Sequence, residues 1–291
     1  MSAKEPLSGV SKTALGVARV RAQESSRPDC LFNDPYAAAF LDAFPDAFPG
    51  ERTAASSGSL GSALAFHAVI RTRFFDDYLR AACVSGCRQV VLLAAGLDTR
   101  AYRLAWPDGV RLFELDLPEV LTFKDSVLAG KGAVPRCARI PVPADVRARW
   151  PAKLIMNGFD ASQPTAWLVE GLLIYLTAEE AARVLTAVGD LSAAGSRLSC
   201  ERGNSRTMAA GAAATPAMGK LTSLWKGGLG EDAADWLARS GWQTQIHHLS
   251  ALAASYGRPV PRETRSGFVT ATYRTSSEPD WSNASSIVSG T

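Results

Sequence analysis

The chain lacks most of what marks a secreted, membrane-bound or nucleic-acid-binding protein. No stretch approaches the roughly eighteen apolar residues that a membrane span needs. Met1 to Gly9 has no apolar core of signal-peptide length. Charge is nearly balanced, with 31 Lys and Arg against 28 Asp and Glu for a formal charge of +3. Without a dense basic run, that excess is too small to argue for nucleic acid. The five cysteines (Cys30, Cys83, Cys87, Cys137 and Cys200) are odd in number and scattered. Cys83 and Cys87 stand one helical turn apart, but no further Cys or His lies close in sequence to complete a zinc set. Reduced thiols in a cytoplasmic protein are the expectation. A G-x-G-x-x-G fingerprint is also missing. Without its glycines a pyrophosphate cannot approach the backbone, which argues against a dinucleotide-dependent dehydrogenase.

What is present centres on Gln89 to Trp106, QVVLLAAGLDTRAYRLAW. Val90, Val91, Leu92 and Leu93 form a continuous apolar run, as in a strand covered on both faces inside a parallel sheet. The small residues Ala94, Ala95 and Gly96 end it, and a helical pattern follows until Trp106-Pro107-Asp108-Gly109. Strand, small-residue turn and helix make the first unit of a doubly wound α/β fold, whose turn is where such folds take cofactors. A second strand, Arg111 to Asp116, places a carboxylate about twenty residues after Gly96. That is the position that grips a ribose hydroxyl pair. A nucleoside without phosphates fits this turn best, and S-adenosylmethionine is the commonest such cofactor.

Five segments then carry a family likeness: RTRFFDDYL, AAGLDTRAYRL, FELDLPEVLTFK, ADVRARWP and WLVEGLLIYLT, in that order. Together they resemble the leucine carboxyl methyltransferase family, in its bacterial branch of S-adenosylmethionine-dependent O-methyltransferases, from about Lys12 to Tyr273. The resemblance implies a class I methyltransferase fold: a doubly wound, mostly parallel seven-stranded sheet, α/β and Rossmann-like, with an N-terminal helical lid. It also implies site residues. Arg73 matches the family arginine that holds the cofactor's carboxylate, a task suited to a two-pronged guanidinium. Arg21 is a second basic candidate for the same end. Ala95, Gly96, Asp116 and Leu117 belong to the cofactor turn and ribose site. Asp145 and Val146 match the pair that contacts the adenine, although Asp145 also suits a helix N-cap. Ala94 and Ala95 stand where the family usually has more glycine.

The rest of the chain fits around this core. A helix is expected over Ser11 to Arg27, stopped by Pro28, and another after Asn33-Asp34-Pro35 with Asp34 as its cap. Phe44 to Ser62 reads as a connection. Ala63 to Ala82 reads as a helix with a core stripe at Phe66, Ile70, Phe74 and Tyr78. Residues 1–82 thus form a helical extension expected to cover the cofactor, and 83–275 the methyltransferase core. Ala138 to Val142 is a weak third strand broken by proline. A fourth strand, Ala166 to Glu170, ends at a carboxylate beside Gly171. Because a parallel sheet presents ligands at its carboxyl edge, Asp116, Glu170, Gly171 and the Ala95-Gly96 turn converge on one site. Tyr175 is the candidate to face the methyl acceptor. Thr177-Ala178-Glu179-Glu180 is a capping box. Arg197 to Cys200, Trp242 to Leu249 and Phe268 to Arg274 complete the strands, the last antiparallel to its neighbour. Residues 203–230 suit an acceptor-side cap or a loose connection, and 276–291 read as a polar, disordered tail.

The function expected is methyl transfer from S-adenosylmethionine to oxygen. The acceptor expected is a carboxylate on a small molecule or peptide, with neither nucleic acid nor membrane as partner. A carboxylate needs no general base, and no metal is called for. A phenol or alcohol acceptor in natural-product assembly is the alternative; it needs a base, and His247 or His248 would then be examined. A catalytically idle cofactor-binding scaffold is the reading from another class.

Overall fold

The computed structural model describes residues 9–45, 59–203, 223–258 and 266–274. The first helices are α1 (Gly9–Ser25), α2 (Ala37–Asp42) and α3 (Ser59–Val84). The alternating part then runs β1 (Gln89–Leu93), α4 (Arg100–Arg103), β2 (Arg111–Asp116), α5 (Pro118–Gly130), β3 (Ala138–Pro143), α6 (Trp150–Met156), β4 (Thr165–Val169), α7 (Ala178–Asp190) and β5 (Arg197–Arg202). It closes with α8 (Ala233–Arg239), β6 (Trp242–His248), α9 (Leu249–Ser255) and β7 (Gly267–Tyr273). The seven strands form one sheet in the order β3-β2-β1-β4-β5-β7-β6. All pairs are parallel except those of β7, which runs antiparallel to β5 and β6. The winding therefore reverses between β1 and β4, and that switch point is where an open α/β sheet forms its ligand crevice.

Apolar content explains the order. β1 and β4 are buried at every residue and lie in the middle. β3 carries Pro141 and Pro143, which cannot donate to a second neighbour, and it pairs only with β2 at the edge. One core, around Val91, Phe113, Trp167 and Leu185, lies under α6, α7 and α8. The other, around Leu15, Phe40, Ile70, Phe75 and Leu92, joins the three N-terminal helices to the opposite face. α3 is thus a layer of the fold, fixed by Tyr78, whose hydroxyl donates to the Trp167 carbonyl at 3.0 Å. The capping box at the start of α7 is formed in both directions.

Several boundaries differ from the sequence reading. α4 stops at Arg103 instead of running toward Trp106, because Leu104 is extended and the Trp106 indole donates back to the Arg100 carbonyl at 2.9 Å. Asp34 does not cap a helix starting at Pro35. α2 begins at Ala37, and the Asp34 carboxylate accepts from Tyr36 N and the Thr99 hydroxyl. α9 had no counterpart in the pattern read from the sequence. The tail 276–291, residues 204–222 of the suggested cap, and much of the Phe44–Ser62 connection lie outside the described residues.

Candidate cofactor and acceptor site

The site is built on the turn after β1. Ala94 and Gly96 both take positive φ, 54° and 50°. For Ala94 that is a strained conformation, costing about 1–2 kcal/mol. The turn is clamped from the next strand: Ala95 N donates to the Leu115 carbonyl at 2.9 Å. Asp116 accepts from Gly96 N on one carboxylate oxygen (2.6 Å) and from Leu117 N on the other (2.7 Å). Burial raises the Asp116 pKa against these two bonds. Each oxygen keeps a lone pair, so the carboxylate can still accept two ligand hydroxyls. The turn, Asp116 and Leu117 are therefore brought together as expected from the spacing. Ala144 N donates to the Asp116 carbonyl at 2.9 Å, which ties the loop of Asp145 and Val146 to the same edge. The Asp145 carboxylate itself accepts from Arg147 through both backbone and guanidinium.

α1 lies across this turn. Ala14 approaches within 3.6 Å of where a Cβ on Gly96 would stand. Arg21 is buried, donates to the Leu97 carbonyl at 2.6 Å and pairs with Asp34 at 3.3 Å. Its guanidinium holds the segment after Gly96 in place.

Arg73 is where the structure departs most from the sequence reading. Its guanidinium donates to Asp77 (2.8 Å) and to the Leu31 carbonyl (3.0 Å), and it lies over the Tyr256 ring. Arg71 reaches the carboxyl edge instead, contacting Glu170 at 2.8 Å and Glu201 at 2.7 Å. Two residues along a helix rotate the side chain by about 200°, so only one of these arginines can face the site. Asp77, four residues after Arg73, was the available signal, since an i,i+4 pair holds Arg73 along the helix.

Around Arg71 the edge is densely charged. Glu170 also accepts from Arg100 at 2.7 Å, and Arg100 pairs in addition with Asp98 and Asp76. Arg103 grips Asp76 with two bonds, 2.6 and 2.7 Å. Glu201 accepts from Gly171 N at 2.5 Å. Gly171 has φ of 63°, and a Cβ there would lie 3.8 Å from the Arg71 guanidinium. Burial works against the Glu201 charge, but Arg71 outweighs it and, with the Gly171 amide, holds the carboxyl below its ordinary range. Tyr175 is half-buried and acts electrostatically on Arg71. Glu201 escaped the sequence reading because the apolar part of the fifth strand ends at Cys200.

His67 escaped it as well. It lies one turn before Arg71 on α3, with its ring 5.5 Å from Phe268 at the start of β7. Phe268 is the register partner of Glu201. Burial pushes the His67 pKa down to about 4, so the ring is neutral at physiological pH. His247 points elsewhere: its Nε2 lies 2.8 Å from the Thr270 hydroxyl, and its ring packs on Phe74. It lines a cleft of ≈ 740 Å³ between α3, α9 and the β6–β7 ribbon, together with Asp77, Arg197 and Tyr256. His248 is exposed.

Among the described residues no group of three or more His, Cys, Asp or Glu is arranged to hold a metal ion. No described helix is long and apolar enough to cross a membrane. Burial raises the Cys83 thiol to about 11, so it stays protonated.

The leucine carboxyl methyltransferase profile matches residues 14–189. A Frankia alni protein named a candidate S-adenosyl-L-methionine-dependent methyltransferase is 50% identical over 270 residues, covering 91% of this chain and 95% of its own. A Streptomyces coelicolor protein with the same description is 48% identical over 257 residues, 87% of this chain and 90% of its own. Among solved structures, a DUF574-family protein from Streptomyces avermitilis aligns with a TM-score of 0.57 at 17% identity, covering 88% of this chain and 96% of that one. A Thermobifida fusca protein named a candidate methyltransferase aligns at 0.52 and 20% identity, covering 89% and 94%. At these identities the two structures speak for the fold.

Proposed function

The chain belongs to the leucine carboxyl methyltransferase family, and from that premise we propose that this S-adenosylmethionine-dependent methyltransferase methylates the carboxylate of a small molecule or peptide. When bound, the cofactor supplies a methyl group on a positively charged sulfur. Asp116 takes the ribose hydroxyls on its two remaining lone pairs, and Gly96 leaves the backbone open beside it. Asp145 and Val146 face the adenine once Asp145 exchanges Arg147 for the base. Arg71, in place of Arg73, reads the methionine carboxylate. Glu170 and Gly171 border the reacting end, with Tyr175 beyond them toward the acceptor. α1 and α2 serve as the lid.

One observation carries the carboxylate reading: among the described residues no histidine is hydrogen-bonded to a carboxylate, the pairing that orients a general base. A carboxylate is ionised well below neutrality and needs none. Alignment and exclusion of water are then the residues' main tasks. His67 favours a second reading, a phenol or alcohol acceptor, because a neutral imidazole stands over the ends of β5 and β7.

The two separate in single-turnover transfer of a labelled methyl group to an acceptor drawn from the producing cell's metabolites. A carboxylate acceptor predicts a flat rate between about pH 6 and 9 and an active His67→Gln variant. A rate that climbs with pH, or a loss of about a hundredfold in His67→Gln, would overturn it in favour of the hydroxyl. Cofactor binding with no acceptor in any fraction would favour the idle scaffold.

The cofactor contacts are checked by calorimetry. Asp116→Ala is expected to weaken S-adenosylmethionine binding by about 1.5–3 kcal/mol, the scale of a charge-assisted hydrogen bond. Arg71→Lys should weaken it too, since a point charge replaces a fork, while Arg73→Lys leaves it unchanged. The reverse order for the two arginines would restore Arg73 as the carboxylate reader.

A further inference from the structure

On one face of β5, β7 and β6 the side chains are core; on the other, toward α3, they are largely polar. Leu198, Cys200, Val269, Ala271 and Trp242 are buried in the core under α6, α7 and α8. Their neighbours along each strand point the opposite way. Register sets those neighbours in rows: Arg197, Thr272 and Gln243 lie side by side, and Ser199, Thr270 and Gln245 form the next row. α3 and the seven-residue α9 stand over these rows without closing on them. The cleft left between them, ≈ 740 Å³, is floored by the threonines and glutamines and walled by Phe74, Tyr78, Leu252 and Tyr256. That is the size and make-up of a small-molecule site, an apolar wall with a few polar groups.

Its charges are unevenly met. Asp77 and Arg197 are the two acidic or basic residues of the lining. Asp77 is engaged by Arg73 at 2.8 Å, by Arg80 at 3.2 Å and by the Tyr256 hydroxyl at 3.2 Å. Neither Arg73 nor Arg80 lines the cleft itself. Arg197 is half-buried and, among the described residues, has neither an ion pair nor a hydrogen bond. It acts electrostatically on the Tyr78 hydroxyl and the Cys87 thiol, which burial keeps protonated. His247 brings no charge either, since burial lowers its pKa. A guanidinium drawn partly out of water with its donors unmet is costly. A ligand carboxylate, held by two parallel bonds, relieves that cost.

We propose that this cleft is a second binding site, separate from the methyl-transfer site, for a small organic acid whose single carboxylate is held by Arg197. One unmet guanidinium matches one negative charge, and a dianion would bring a second with no cation of the lining to meet it. Phe74, Leu252 and Tyr256 take the apolar body of the acid, and the threonines and glutamines its remaining polar atoms. The place is distinct from the carboxyl edge. Arg197 opens β5, and Glu201, which pairs with Arg71 at that edge, stands four residues on, roughly 13 Å along the strand. An acid gripped by Arg197 does not present that carboxylate to the edge.

The test is calorimetry on the full chain with octanoate, benzoate and indole-3-acetate, the neutral amide of each, and inorganic phosphate. At least one acid is expected to bind with Kd below about 1 mM, and about tenfold or more tightly than its amide or phosphate. Arg197→Met should weaken that acid by about tenfold or more. Ala81→Trp, at an exposed position on the α3 wall, fills the cleft and should abolish binding. Saturation with S-adenosylhomocysteine should leave the acid's affinity as it was. No binding of any acid at about 10 mM overturns the proposal. So does parental affinity in a folded Arg197→Met protein, phosphate binding as tightly as the acids, or displacement by S-adenosylhomocysteine. Should Arg197→Met not fold, Ala81→Trp decides: an acid that still binds with parental affinity is bound elsewhere.

Discussion

Replacing Arg100 with methionine is expected to destabilise the protein by about 3–5 kcal/mol, the usual cost of removing one partner from a buried ionic set. Arg100 is 2% exposed and, among the described residues, is the only side chain that touches Asp76, Asp98 and Glu170 together. Methionine fills similar volume but leaves three carboxylates facing an apolar group. Arg103 still serves Asp76, and Arg71 still serves Glu170. Asp98 has no other ion-pair partner among the described residues, so the loss concentrates there. For a chain of this size the melting temperature should fall by about 6–20 °C.

The pH dependence gives a second check. Burial pushes the Asp98 carboxyl up, but Arg100 foremost, with Lys124, Arg21 and Arg103, pulls it down to about 2. A carboxyl whose folded pKa is depressed contributes stability above its unfolded value, near 4, and that stability is lost as pH falls through about 2. In Arg100→Met the depression largely disappears. The gap between parent and variant should therefore shrink as pH is lowered from about 4 toward 2. A variant melting within about 2 °C of the parent at neutral pH would show that Arg100 does not hold the edge together.

The second large effect is expected beside the turn that follows β1, at the buried face of β2. Glu114 and Lys124 are both fully buried and lie 2.8 Å apart, and Arg139 contacts the same Glu114 oxygen at 2.8 Å. Glu114→Leu strips two cations of their shared counter-ion, and again about 3–5 kcal/mol should be lost. Lys124 has no other ion-pair partner among the described residues, whereas Arg139 retains Asp125 at 2.8 Å. Lys124 is thus the source of most of the cost. The double variant Glu114→Leu, Lys124→Met should recover at least about 2 kcal/mol relative to the sum of the single changes, because it removes the pair instead of orphaning one member. Urea unfolding of the four proteins measures this coupling. Single effects that add within about 0.5 kcal/mol would mean that the pair does not act as a unit. Lys124 also acts electrostatically on Asp98 and Asp116, so the single variants should disturb cofactor binding as well as stability.

These clusters explain why the fold was more legible than the site. The strand of Val90 to Leu93, the small-residue turn and the strand-end Asp116 follow from local pattern. Their spacing alone places the Asp116 carboxylate against Gly96 N. The same holds for the Thr177 capping box and for the prolines that confine β3 to an edge. The Arg73–Asp77 spacing signals a pair along the helix, and that pair is what takes Arg73 away from the edge. His67 and Arg71, one turn apart, signal a shared face of α3.

Other features had no local signal. Nothing in the residues around Arg100 names Asp76, 24 positions upstream, or Glu170, 70 positions downstream. Nothing around Glu201 names Arg71, 130 positions away. The histidines show the same limit: strand alternation cannot say that His247 settles against Thr270 and Phe74, or that His67 stands over the end of β7.

The sequence by itself determined the doubly wound sheet, the small-residue turn after β1 and the carboxylate beside it. Each of these rests on hydrophobic period or on backbone conformation within a few residues. Only the tertiary structure decided which arginine reaches the carboxyl edge of the sheet and which carboxylates share it. Those outcomes depend on how α3 is rotated against β4 and β5. That rotation is set by Ile70, Phe74, Phe75 and Tyr78 filling a core contributed by strands more than ten residues away in the chain.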